Sequence, residues 1–159
     1  MSTITRDALW SDVCVLPSGD FAHVVAERFA VAAFPGANAS APLWRQAIAT
    51  DFLRFLRCAA DRNGEIRAIG QGGDGQAWFV GPGIAEPLGM THGVNPVAIR
   101  HDGQRWIAYV VTRPDCYRMI RLDGEAQDMP MPWSSQGLRD VLPDGATGHH
   151  EVDFTAEPA

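Results

Sequence analysis

PLWRQAIATDFLRFLRCAADRNG, residues 42–64, supports two opposite readings, and the fold turns on which of them the chain takes. Trp44, Ile48, Phe52, Phe55, Leu56 and Ala59 recur at helical spacing, and Gly64 stands where a helix would end on a left-handed glycine. FLRFLR repeats every three residues, which the two-residue period of a strand does not favour. Yet the stretch closes on Asn63-Gly64, a pair suited to the positive φ angles of a tight hairpin turn.

The residues before it share the ambiguity. DFAHVVAERFAVAAF, residues 20–34, also fits a helix, with Asp20, His23 and Glu27 along one face and Ser18 as its N-cap. The residues after it read as strands. EIRAIGQGGDGQAWFVG (65–81) and VAIRHDGQRWIAYVV (97–111) each predict a hairpin about a Gly-containing turn, and CYRMIRLDG (116–124) alternates apolar residues with arginines.

Turn spacing favours strands, while the periodicity of residues 43–60 favours a helix. VCVLPSG ends at Gly19, CAADRNG at Gly64, VAIRHDG at Gly103 and RDVLPDG at Gly145, at intervals of 45, 39 and 42 residues. A unit of about 42 residues is the length of four short strands with tight turns, one blade of a β-propeller. The fold class expected is therefore mainly β, a meander of propeller-like repeats in a single domain over 1–159, with repeat units 20–64, 65–103 and 104–145. The alternative is α+β, with helices near 20–33 and 43–60 followed by a β-meander. On the propeller reading the chain supplies about three and a half blades, fewer than the four to eight of a ring, so other chains must complete it.

Composition bounds the function. Apolar residues make up 46% and charged residues 20%, a globular balance. The net charge of −6 opposes nucleic-acid binding, and Arg54, Arg57, Arg62 and Arg67, the one local basic cluster, lack interleaved aromatics. No apolar run is long enough for a membrane span, and MSTITRDALWSD carries charges where a signal peptide needs a greasy stretch, so a cytoplasmic or virion location is expected. Cys14, Cys58 and Cys116 are odd in number, widely spaced and set among apolar residues, which predicts buried free thiols.

Chemistry-bearing patterns are few. DGQAW (74–78) and DGQRW (102–106) place Trp78 and Trp106 after hairpin turns, either as large strand residues or as stacking platforms for a sugar. GHHEVD (148–153) would put His149, Glu151 and Asp153 on one face of a strand, a weak metal-ligand pattern beside the plainer reading of a polar terminal strand. Asn38-Ala39-Ser40 spells a glycosylation sequon without a secretion signal. GQGGDG (70–75) continues into a strand and so lacks the helix amides that hold phosphate, and no nucleophile elbow is present. No cofactor is expected.

One family resemblance follows from residues 53–80. Arg54, the run Gly64-Glu65-Ile66-Arg67-Ala68 and the run Gly75-Gln76-Ala77-Trp78 resemble a blade of the small propeller lectins that assemble rings from short chains. That resemblance implies a self-assembled ring and sugar binding through Arg54 and Trp78, although Ala68 stands where the family carries its binding glutamate. The expected function is a non-enzymatic structural or interaction module, a homo-oligomer or part of a larger assembly such as a phage virion or tail. A carbohydrate-binding module is the first alternative. A small cytosolic α+β protein, a toxin-neutralising partner or an enzyme of another type, is the second.

Overall fold

Tight turns and alternating apolar residues give this chain strands throughout. The computed structural model describes residues 10–36 and 40–131, which form twelve β-strands and no helix. Sheet 1 contains β1 (Trp10–Val15), β2 (Phe21–Glu27), β3 (Ala30–Phe34) and β4 (Trp44–Ala47). Sheet 2 contains β5 (Arg54–Ala60), β6 (Ile66–Gln71), β7 (Gln76–Gly81) and β8 (Ile84–Met90). Sheet 3 contains β9 (Val97–His101), β10 (Trp106–Arg113), β11 (Cys116–Arg121) and β12 (Ala126–Pro130). Each sheet is an antiparallel meander in which every strand pairs only with its neighbours in sequence. The first strands start at residues 10, 54 and 97, a stride of 44 and then 43.

The α+β alternative is thus set aside: residues 20–33 form β2, a turn and β3, and residues 43–60 run through β4 into β5. Its helical signal has a local cause. Phe55 has φ of +54°, and the β5–β6 register slips between Arg54 and Arg57, so a bulge inserts an extra residue. The bulge turns a two-residue period into a three-residue one, and Leu53 and Leu56 both point into the core with no exposure. The aligned turns ending at Gly19, Gly64 and Gly103 are structural equivalents, and the fourth, at Gly145, lies outside the described residues. Leu16 N–H donates to Asp20 O, Asp61 N–H to Glu65 O and Asp102 N–H to Arg105 O, closing the first hairpin of each sheet. Units 20–64 and 65–103, cut at those turns, each straddle two sheets, because the sheets themselves begin one strand earlier, and the described part of 104–145 lies within sheet 3.

The sheets stack face to face along their first strands, β1 beside β5 and β5 beside β9. Successive residues of a strand face opposite ways, so sheet 2 is apolar on both sides. Leu56, Cys58, Ile66, Ala68, Trp78 and Val80 meet Cys14, Val24, Val31 and Ala33 of sheet 1. Ala59, Ile69, Ala77 and Phe79 meet Val97, Ile99, Ala108 and Val110 of sheet 3. Each full burial of a Val, Leu or Ile side chain contributes about 1.5–3 kcal/mol, so these two layers carry the stability of the fold. All three cysteines are buried and unpaired. No helix among the described residues is long and apolar enough to cross a membrane. His149, Glu151, Asp153, Asn38 and the 145 end of the last repeat unit lie outside the described residues.

Gly70 faces the bulge across the sheet. A Cβ there would sit 2.7 Å from Leu53 Cβ and 3.1 Å from the Arg54 carbonyl oxygen, and backbone cannot yield as a flexible side chain can. Gly70→Ala is expected to lower stability by about 1–3 kcal/mol, the usual cost of overpacking, read as a lower urea midpoint.

Candidate interaction surface

Superposing the first hairpins by their turn hydrogen bonds puts equivalent positions of the three sheets in register. On the first strand Val13, Cys58 and Ile99 are equivalent, as are Phe21, Ile66 and Trp106 on the second. In sheets 2 and 3 these residues face the preceding sheet, and Cys58, Ile99 and Ile66 are at most 2% exposed. In sheet 1 the same face looks outward. Val13 is 43% exposed, Val15 42% and Phe21 58%.

The three residues adjoin one another. The β1–β2 register sets Val13 opposite His23 and Val15 opposite Phe21, so they share one face at the end of the sheet that carries the Leu16–Asp20 turn. Deeper on that face Val25, Ala32 and Phe34 form a small buried cluster. Its far end is closed by a bidentate ion pair, Arg45 Nε to Glu27 Oε1 at 2.9 Å and Arg45 Nη2 to Glu27 Oε2 at 3.1 Å. His23, where the other sheets have Ala68 and Ala108, is half-buried; burial lowers its pKa, and its Nδ1 has no hydrogen-bond partner among the described residues.

Two clefts open between the stacked sheets. One, of about 350 Å³, lies between the first turns of sheets 2 and 3 and is lined by Asp61, Arg62, Arg100, His101 and Asp102. Its carboxylates are already engaged, since Asp61 Oδ1 accepts from the amides of Asn63 and Glu65, and Asp102 Oδ1 from those of Gln104 and Arg105. Asp102 is held below the usual carboxylate range by the two amides. The other cleft, of about 300 Å³, lies between sheets 1 and 2 with Leu43, Trp44, Glu65, Ile66, Arg67 and Pro82 around it. Glu65 and Arg67 approach to 3.4 Å there, and the buried Trp44 Nε1 has no partner among the described residues.

The structure separates the residues singled out as sugar contacts. Trp78 is 7% exposed in the layer facing sheet 1, and its Nε1 donates to Asp74 Oδ1 at 3.3 Å. Trp106 is half-buried in the other layer, edge-on to His101 at 4.9 Å and under the Arg67 guanidinium at 5.8 Å. Arg54 is exposed at the start of β5, 6.0 Å from the Phe52 ring centre. The two DGQ-x-W stretches are not equivalent turns, because 74–78 joins β6 to β7 and 102–106 joins β9 to β10. Asp20, His23 and Glu27 also part: Asp20 lies in the turn, His23 beside Val13, and Glu27 on Arg45. Trp44 was not singled out as a contact residue, since in a helix-like stretch it reads as core. Among the described residues no group of three or more His, Cys, Asp or Glu could hold a metal ion.

Comparison with known proteins finds no matching family model, no similar curated protein and no similar solved structure.

A buried polar seam joins the first strands. Asp12 Oδ2 accepts the Cys58 N–H at 2.9 Å, satisfying an edge amide of β5 from β1, and Arg57 Nη2 donates to Asn95 Oδ1 at 3.2 Å. Burial pushes the Asp12 carboxyl up to about 6, against the lowering pull of the Arg57 charge and the Cys58 amide. Burial also drives the Cys58 thiol well up, with Cys14 and Asp12 adding to it, which favours the protonated thiol. Because the folded state keeps the Asp12 proton after the unfolded chain has lost its own, this group favours folding most below pH 4 and loses that contribution as pH rises to about 6. Asp12→Asn should remove a fall of about 3 kcal/mol from the stability profile between pH 4 and 7, read by chemical denaturation at each pH. Equal slopes in the two proteins would refute the assignment.

Proposed function

We propose that this chain is a non-enzymatic structural or interaction module, a stack of blade-like sheets whose outer face on sheet 1 receives another protein surface. One observation carries the reading: Val13 and Phe21 are exposed at positions whose counterparts in sheet 2, Cys58 and Ile66, are sealed by a neighbouring sheet. Exposed apolar side chains gathered on one face mark interaction sites more than chance scatter does. A tagged chain isolated from the cells that make it is expected to bring down a stoichiometric companion, either further copies or another protein. Phe21→Asp should release that companion while the circular dichroism stays that of a β protein. A wild-type chain recovered alone would remove the reading.

A second reading, carbohydrate binding, is favoured by the cleft between sheets 1 and 2 rather than by Trp78 and Trp106. It combines an indole, further apolar wall from Leu43 and Pro82, and a Glu65–Arg67 pair able to hydrogen-bond hydroxyls. A glycan array followed by tryptophan fluorescence tests it: a hit whose quenching disappears in Trp44→Leu supports it, and an empty array disposes of it.

A further inference from the structure

We propose that the partner on the outer face of sheet 1 is a second copy of this chain, docked through the same face about a two-fold axis. This deepens the docking reading above and rests on it.

The outer face is the counterpart of the faces by which sheets 2 and 3 receive the sheet before them. Sheet 1 covers sheet 2, and sheet 2 covers sheet 3, through equivalent positions of equivalent hairpins. What fits Val13, Val15 and Phe21 is therefore an apolar sheet face of this same build. A second copy could offer the outer face of its sheet 3 or of its sheet 1. On sheet 3 that face is closed, with Ala98, Ile107, Tyr109, Val111 and Tyr117 all at most 8% exposed. The open apolar face is again that of Val13, Val15 and Phe21. A patch that meets its own copy generates a closed two-fold dimer.

Among the described residues the charged pair on the face, Glu27 with Arg45, is internally neutralised; the strand positions around Phe21 carry Val13, Val15 and His23, and the exposed Asp20 in the adjoining turn is the one carboxylate beside them. His23 adds no like charge at neutral pH, because burial lowers its pKa.

The test is light scattering on the purified full-length chain across a concentration series. The wild type is expected to run as a dimer that dissociates on dilution. Phe21→Asp should weaken the dissociation constant roughly 30-fold or more, as removal of a central apolar anchor does. Phe29→Asp, an equally exposed position at the opposite end of the β2 hairpin, should leave the dimer intact. Both substitutions are at exposed positions, and unchanged circular dichroism and urea midpoints verify the fold. A wild type that stays monomeric at every concentration overturns the proposal, as does a dimer indifferent to Phe21→Asp, or a trimer or larger ring. A monomer that still binds a different native companion through Phe21 overturns the dimer and leaves the docking reading standing. A monomer with no companion overturns both.

Discussion

Burial of sheet 2 from both sides is the constraint on which this structure depends. A strand exposes alternate residues to opposite faces, so a sheet can be enclosed only if two interleaved sets of side chains are both apolar. Sheet 2 meets that demand with adjacent pairs such as Cys58 and Ala59, Ala68 and Ile69, and Phe79 and Val80. The neighbouring sheets then have a surface to stack upon, and the inner residues of β1 and β9 are set by what faces them. Many of those residues are alanine or valine, which lets the sheets approach while the few large groups, Trp78 and Phe79 among them, fill the wider parts of the layers.

Much of this was legible in the chain. Gly-containing turns located the first hairpin of each sheet, and their stride gave the repeat, because turn chemistry acts over four or five residues and needs no tertiary partner. The stretch around Phe55 was not legible in the same way. A bulge with a positive φ at a bulky residue changes the period of the pattern, and only the packing of Leu53 over Gly70 makes that conformation the stable one. The candidate surface was legible in part. An unclosed ring with unpaired sheet edges was expected rather than an open face, and Phe21 and Val13 look like any core residue of a strand until one sees that nothing described lies across from them. Trp78 and Trp106 share local spelling but sit after different turns, and both rings are drawn into the layers between sheets.

One polar seam runs through the stack along the first strands. The Asp12 carboxylate accepts an amide that the sheet ladder of β5 leaves unpaired, and Arg57 links onward to Asn95 ahead of β9. An apolar residue at position 12 would bury more surface but orphan that amide, a loss comparable to a missing hydrogen bond. The seam thus fixes how one sheet is aligned on the next, whereas the apolar layers, being non-directional, mainly set how strongly they adhere.

The meander has a kinetic consequence. Since every hydrogen-bonded strand pair joins segments consecutive in the chain, each sheet can zip up from its own hairpins with little loop-closure entropy to overcome. During synthesis an early sheet can be assembled before the residues of a later one leave the ribosome, and the slow event becomes the collapse of preformed sheets onto each other. Lengthening a hairpin turn would then barely alter the folding rate, while disturbing the stacking of β1 on β5 would slow it.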